Sequence, residues 1–326
     1  MNQPRLRELK VGESFKGFYL VKSKRVKQTR EGSNFIDLDL QDGSGSLNAK
    51  LWNDFEKYNA EFERGDVVKI EGVIEQYKDQ PQIKIKRLRK SLPEDPVEVS
   101  ALQAVTREDV SRMLSEVQSI LAEIKNPHLI KLVEQFFQDP ALLEKLKQAP
   151  AARNLHHAYL GGLLEHIWHM LKIAQALVQK VYPGLDYDLV MAGTFCHDLG
   201  KMDELESFPA PAITRAGYLE GHIILGLKLL DEKISRIPNF PTELRLHLAH
   251  IILSHHGEHE WGSPVLPSTP EAMLIHHIDN LDAKLTMVSE AIESDQNQAE
   301  EFTGYHQILE RHLYKRRPGQ KGGREE

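Results

Sequence analysis

The spacing of apolar residues changes once along this chain of 326 residues, and the change separates two kinds of fold. Between residues 11 and 90, apolar and polar side chains alternate in short runs: Phe15 to Val21, Phe35 to Leu40, Leu47 to Trp52, Val67 to Ile74 and Gln82 to Lys86. A period of two belongs to strands with one buried face. Turn-forming clusters separate the runs at Glu31-Gly32-Ser33-Asn34, Asp42-Gly43-Ser44-Gly45, Arg64-Gly65-Asp66 and Lys78-Asp79-Gln80-Pro81. Five strands, with one short helical insert over 53–62 between the third and the fourth, predict a small all-β Greek-key barrel over 1–90.

Beyond Ser91-Leu92-Pro93-Glu94-Asp95-Pro96 the period becomes three and four. Two prolines among acidic residues supply neither a packing face nor a full set of backbone donors, so 91–106 reads as a linker. Thr106 followed by Asp109 predicts a helix cap. Val110, Met113, Leu114, Val117 and Leu121 then share one helix face, and Asp139-Pro140 predicts a second cap with proline in the first turn. Further helical runs are expected over about 155–181, 187–199, 218–235, 241–256 and 270–293, making 107–312 an all-α domain. The Gly-rich, basic residues 313–326 are expected to form a disordered tail.

Charge follows the same division. Residues 1–90 carry 19 Lys and Arg against 14 Asp and Glu, whereas the rest carries 22 against 34, and all 16 histidines lie at or beyond His128. The front is basic and the back acidic. No run approaches eighteen consecutive apolar residues and no apolar secretory segment follows the N-terminus, so neither a membrane span nor a signal peptide is expected. A single cysteine, Cys196, excludes an internal disulfide and a thiolate-rich metal site, in keeping with a reducing cytoplasm.

Inside the helical part, His166, the pair His197-Asp198, His222, the pair His255-His256, and Asp279 with Asp282 each fall on a different predicted helix or at its end. Imidazole and carboxylate are the ligands of Mn, Fe, Ni or Zn in nitrogen and oxygen sites, and a binuclear centre needs about this many, with one carboxylate able to bridge. Asp198 is the candidate bridge. A lone histidine on a helix is usually a surface or hydrogen-bonded core residue. Here, though, polar groups interrupt strongly apolar runs such as Val190 to Cys196, where burial is costly unless something satisfies them.

The order His, His-Asp, His, His, Asp around Cys196-His197-Asp198-Leu199-Gly200-Lys201 resembles that of the HD-domain metal-dependent phosphohydrolases. An OB-like barrel in front, with His156-His157-Ala158-Tyr159-Leu160-Gly161-Gly162 leading into His166, is similar to the YhaM-type 3′-to-5′ exoribonucleases over about residues 10–310. The resemblance implies an OB-like barrel followed by an all-α HD-type domain. It also implies two divalent ions, with Mn expected and Fe, Ni, Co, Zn or Mg compatible. His166, His197, Asp198 and Asp279 would hold the first ion. His222 and one of the adjacent pair, His255 before His256, would join Asp198 on the second. Asp282 reads as an outer partner or a salt-bridge acid. His157, nine residues before His166, would lie on the opposite face of a continuous helix and share the metal site only if the chain bends, as Gly161-Gly162 would allow; its candidate role is a contact to substrate.

The expected reaction is in-line attack on a phosphodiester by a hydroxide held between the metals, with Asp198 and Lys201 as the catalytic residues and Lys201 also pairing with a phosphate oxygen. By resemblance the substrate is single-stranded RNA, with single-stranded DNA as a second candidate, shortened from its 3′ end to nucleoside 5′-monophosphates. In the barrel, Phe35, Trp52 and Tyr77 are candidate stacking platforms. Lys24, Arg25 and Lys27, in a run that includes Lys22 and Arg30, are candidate phosphate contacts. Two other readings compete: a phosphohydrolase or phosphodiesterase of small or cyclic nucleotides, and a non-catalytic nucleic-acid adaptor with a structural metal. A homo-oligomer is compatible with all three.

Overall fold

In a computed structural model, residues 3–29, 31–77, 80–153, 157–207, 211–295 and 300–315 are described. Arg30, His156 and the tail from Arg316 lie outside them. The chain forms two compact units, one of residues 1–103 with 284–326 and one of residues 104–283.

The first unit is a closed barrel of β1 (Ser14–Gln28), β2 (Asn34–Asp42), β3 (Gly45–Leu51), β4 (Val67–Tyr77) and β5 (Gln80–Lys90), in the order β1-β2-β3-β5-β4. β4 returns antiparallel to β1, pairing Tyr19 with Val68, and β3 runs parallel to β5, pairing Ala49 with Ile83. Closure removes the exposed edges that a five-stranded sheet would otherwise present. The alternation read from the sequence fills the interior: Tyr19, Val21, Ile36, Leu38, Leu40, Ile70 and Ile83 are all buried. The helical insert is α1 (Phe55–Asn59), which with Phe62 packs on the same core. One detail escapes alternation. A register shift between Val21 and Ser23 resets which positions of β1 face inward. Of the expected tail, Leu313 is buried and Lys315 pairs with Asp295 at 2.9 Å.

The second unit is helical: α2 (Val110–Leu121), α3 (Pro127–Phe137), α4 (Pro140–Gln148), α5 (Gly162–Lys180), α6 (Tyr187–Cys196), α7 (Lys201–Glu204), α8 (Arg215–Ser235), α9 (Thr242–Ser254) and α10 (Pro270–Ser294), the last running past the unit's end. The Asp109 side chain caps α2 by accepting from the Arg112 amide, and Asp139 caps α4 with Pro140 in its first turn. The Thr106 hydroxyl, expected to help cap α2, bonds the Glu165 carboxylate. The helix expected from about 155 begins later, at Gly162, because Gly161 takes a left-handed conformation with φ of 79°. α6 and α5 are buried over much of their length, with Phe195 wedged between the Phe136 and Phe137 rings at centroid distances of 5.4 and 5.6 Å. No helix among the described residues is long and apolar enough to cross a membrane.

Candidate functional site

Five helices converge their polar ends on one carboxylate. His166 projects from the first turns of α5, and His197-Asp198 follows the last residue of α6. His222 lies in α8 directly after Gly221, whose positive φ of 73° interrupts the helix. His255-His256 close α9, and Asp279 and Asp282 lie one turn apart on α10. Gly200 makes the convergence possible. A Cβ there would stand 2.0 Å from the His222 carbonyl and 2.5 Å from the Gly226 amide, so only glycine lets α8 approach the turn that carries Asp198.

The two oxygens of Asp198 face opposite ways. Oδ2 lies 3.4 Å from His197 Nε2 and 3.7 Å from His166 Nε2, and His166 Nε2 is in turn 3.3 Å from Asp279 Oδ1. Oδ1 lies 3.4 Å from His255 Nε2 and 3.7 Å from His222 Nε2, while His256 Nε2 is 3.2 Å from His222 Nε2. Two ligand sets result: His166, His197 and Asp198 offer atoms all within 4.8 Å of one another, as do His222, His255 and His256. Both members of the His255-His256 pair therefore reach the same side.

The far nitrogen of each imidazole that faces Asp198 is tied off. His197 Nδ1–H donates to the Thr194 carbonyl at 2.7 Å and His255 Nδ1–H to the Ile252 carbonyl at 2.8 Å. His166 Nδ1–H donates to Asp282 at 2.7 Å and His222 Nδ1–H to Glu204 at 3.1 Å. Donation from Nδ1 leaves the Nε2 lone pair for a ligand. The donor set fits divalent cations: the buried atoms His197 Nε2, His255 Nε2 and Asp198 Oδ1 have no hydrogen-bond partner, a costly arrangement that a metal relieves.

The cluster's own charges set its ionisation in the absence of an ion. Burial opposes ionisation of Asp198, yet Lys201 and His197 hold its carboxyl well below the usual range. Burial likewise opposes charge on Lys201, but Asp198 and Asp279 raise its ammonium above its ordinary value. Against burial, hydrogen bonds to Asp279 and Asp282 bring His166 up to about 9. Burial, reinforced by the His255 and His222 rings, pushes His256 down to about 4.

Several expected substrate contacts sit elsewhere. His157 is fully buried with φ of 53°, and its ring nitrogens lie 2.9 Å from the Tyr159 hydroxyl and 3.1 Å from Asp282. The bend expected at Gly161-Gly162 exists, but it turns His157 toward Asp282, inside the protein, and not toward a strand in solvent. Lys24 is corrected as well. Its ammonium donates to the Asn59 and Phe62 carbonyls at 2.6 and 2.7 Å and to Glu63 at 3.1 Å, and its side chain is 7% exposed. It ties β1 to the α1 segment. Lys27 bonds the buried Asp37, as does Lys50 at 2.6 Å, while Arg25 stays exposed, 3.8 Å from Asp39. Phe35 is buried beneath Trp52, the rings stacked at 4.4 Å and 27°; Trp52 is 43% exposed and Tyr77 58%.

Two further residues belong to the site, His169, which the sequence leaves as either solvated or an outer partner, and Glu204, which it does not mark. His169 Nδ1 donates to Asp282 at 3.0 Å, and Glu204 holds both the ring and the amide of His222. The spacing of three from His166 to His169, one helical turn, is the signal that marks the first; nothing local marks the second.

The barrel and the His-Asp cluster together define an OB-fold protein carrying an HD domain. Residues 20–90 match the family of OB-fold nucleic acid binding domains, and residues 163–284 match the HD domain family. Divalent-metal dependence follows from that domain and its converging ligands. Over 289 residues the chain is 35% identical to the 3′-5′ exoribonuclease YhaM of Oceanobacillus iheyensis, covering 88% of this chain and 89% of that protein. It is 34% identical over 283 residues to 3′-5′ exoribonuclease YhaM of Bacillus subtilis, covering 87% and 89%. The chain belongs to the YhaM family of 3′-5′ exoribonucleases.

Proposed function

We propose that this protein is a metal-dependent exonuclease that shortens single-stranded RNA, and single-stranded DNA secondarily, from the 3′ end and releases nucleoside 5′-monophosphates. The observation that carries the reading is Asp198: one buried carboxylate with two imidazole Nε2 atoms on each side. His166, His197, Asp198 and Asp279 would hold one ion. His222, His255 and Asp198, with His256 beside them, would hold a second, and Mn²⁺ suits this nitrogen and oxygen set. When bound, divalent ions supply Lewis acidity toward a phosphodiester and make water a nucleophile at neutral pH. The chain's own groups do the rest. Asp198 stands between the two sets of imidazoles, and Lys201, 2.6 Å from Asp198 Oδ2, would set a positive charge against a non-bridging phosphate oxygen as it gains negative charge. Trp52, backed by Phe35, and Tyr77 offer faces for unstacked bases, with Arg25 along the phosphates. The direction and the RNA substrate rest on the relatives' activity.

The test is full-length protein with 5′-end-labelled single-stranded RNA and Mn²⁺. The expected result is a ladder that shortens from the 3′ end, mononucleotides bearing a 5′ phosphate, and no products in EDTA. Internal cuts, immediate release of the labelled 5′ nucleotide, or products unaffected by chelator overturn it.

A further inference from the structure

The four imidazoles facing Asp198 are oriented by two kinds of acceptor. His197 and His255 donate to carbonyls three residues back in their own helices, contacts that the backbone makes whatever the side chains around it. His166 and His222 depend on carboxylates from other segments, Asp282 and Glu204. Each side of Asp198 thus has one imidazole fixed by its own helix and one fixed by an acid. We propose that Asp282 and Glu204 are positioning residues that set the affinities of the two ion positions separately, Asp282 acting through His166 and Glu204 through His222. The inference rests on the two-ion reading above.

The two acids differ in build. Asp282 is buried and collects three imidazoles: Oδ2 accepts from His166 and lies 3.1 Å from His157 Nε2, and Oδ1 accepts from His169. Its orientation is fixed by helix α5 and by the segment before it. Glu204 grips a single residue at two points. The same Oε1 accepts the His222 amide at 3.0 Å and the ring Nδ1–H at 3.1 Å, because the positive φ of Gly221 turns both toward it. A charged acceptor fixes the tautomer and raises the basicity of the opposite nitrogen; a neutral amide in its place holds the ring less firmly. Losing such an outer partner lowers metal affinity by roughly 10–100-fold.

The experiment is equilibrium dialysis of the full chain against Mn²⁺, with bound metal counted directly, for wild type, Asp282→Asn, Glu204→Gln and the double variant, each checked for folding by circular dichroism. Wild type should bind two ions. Each single variant should keep one at wild-type affinity and bind the other roughly 10–100-fold more weakly, and the double variant should weaken both. A double variant that keeps one tight ion shows that both acids serve one position and overturns the proposal. So does a single variant that weakens both ions equally, or unchanged binding in either single variant. A wild type that binds fewer than two ions removes the two-ion reading itself, and the proposal with it. Should Asp282→Asn not fold, Asp282→Glu, which keeps the charge and displaces the oxygen by a methylene, is measured in its place with the same expected split.

Discussion

The ammonium of Lys201 lies 2.6 Å from Asp198 Oδ2, so the carboxylate that gathers four imidazoles also holds a lysine at its side. Replacing Lys201 by methionine keeps the stem and removes the charge. The expected result is a loss of about 10²–10³ in kcat on single-stranded RNA, as for removal of one fixed electrostatic stabiliser, with bound Mn²⁺ unchanged. Single-turnover rates and a metal count on the same sample check it. An effect on KM alone would place Lys201 in ground-state binding instead.

Trp52→Ala should weaken binding of a 3′-blocked RNA by about 1–3 kcal/mol, the typical worth of one base stacked on an aromatic side chain, with a smaller loss of stability, about 0.5–1.5 kcal/mol, from uncovering Phe35. Lys24→Ala should do the reverse. It strips charged donors from the Asn59 and Phe62 carbonyls, each such bond contributing about 1.5–3 kcal/mol, and so should lower stability with a smaller effect on affinity. Fluorescence anisotropy and thermal melts on both variants separate the two roles.

Gly200→Ala inserts a methyl group into the backbone of α8. Overpacking of this kind costs about 1–3 kcal/mol, and any relief must move His222 away from Asp198. The variant should melt earlier and bind Mn²⁺ less tightly. If its metal affinity equals that of wild type, the close approach of α8 is not what delivers His222.

Asp37 predicts an acid limb to the stability of the barrel. Burial would raise its pKa, but hydrogen bonds from Lys27, Lys50 and Asn48 outweigh it and hold the carboxyl at about 2 against an ordinary 3.8. A depressed folded-state pKa stabilises fully above the unfolded value and is lost as pH falls from about 4 toward 2. Asp37→Asn should therefore cost about 1–2 kcal/mol at neutral pH, allowing for screening, with the gap from wild type closing below pH 3. Denaturant melts of both proteins at pH 7 and pH 2 read the difference. A gap as wide at pH 2 as at pH 7 would assign the loss to packing.

Alternation along β1 to β5 and the three-four spacing after Val110 made both architectures legible, because each reports a buried face directly. The candidate cluster was legible for a related reason, since His197-Asp198 follows eight residues of core, where charge needs a purpose; its assignment to ion positions came from the family resemblance. Destinations of long side chains were not. Lys24 stands in a run of cations on a strand, and only the register shift after Val21 brings it over the Phe62 ring, 4.8 Å away. His157 was placed by a positive φ that a non-glycine residue does not advertise. Glu204 meets His222, eighteen residues on in sequence, through a kink at Gly221, which no periodicity encodes.

Asp279 lies on the last helix of the series, 113 residues after His166. A ribosome must therefore have translated almost the whole helical unit before His166 can meet Asp279, so the cluster assembles only when that unit is nearly complete.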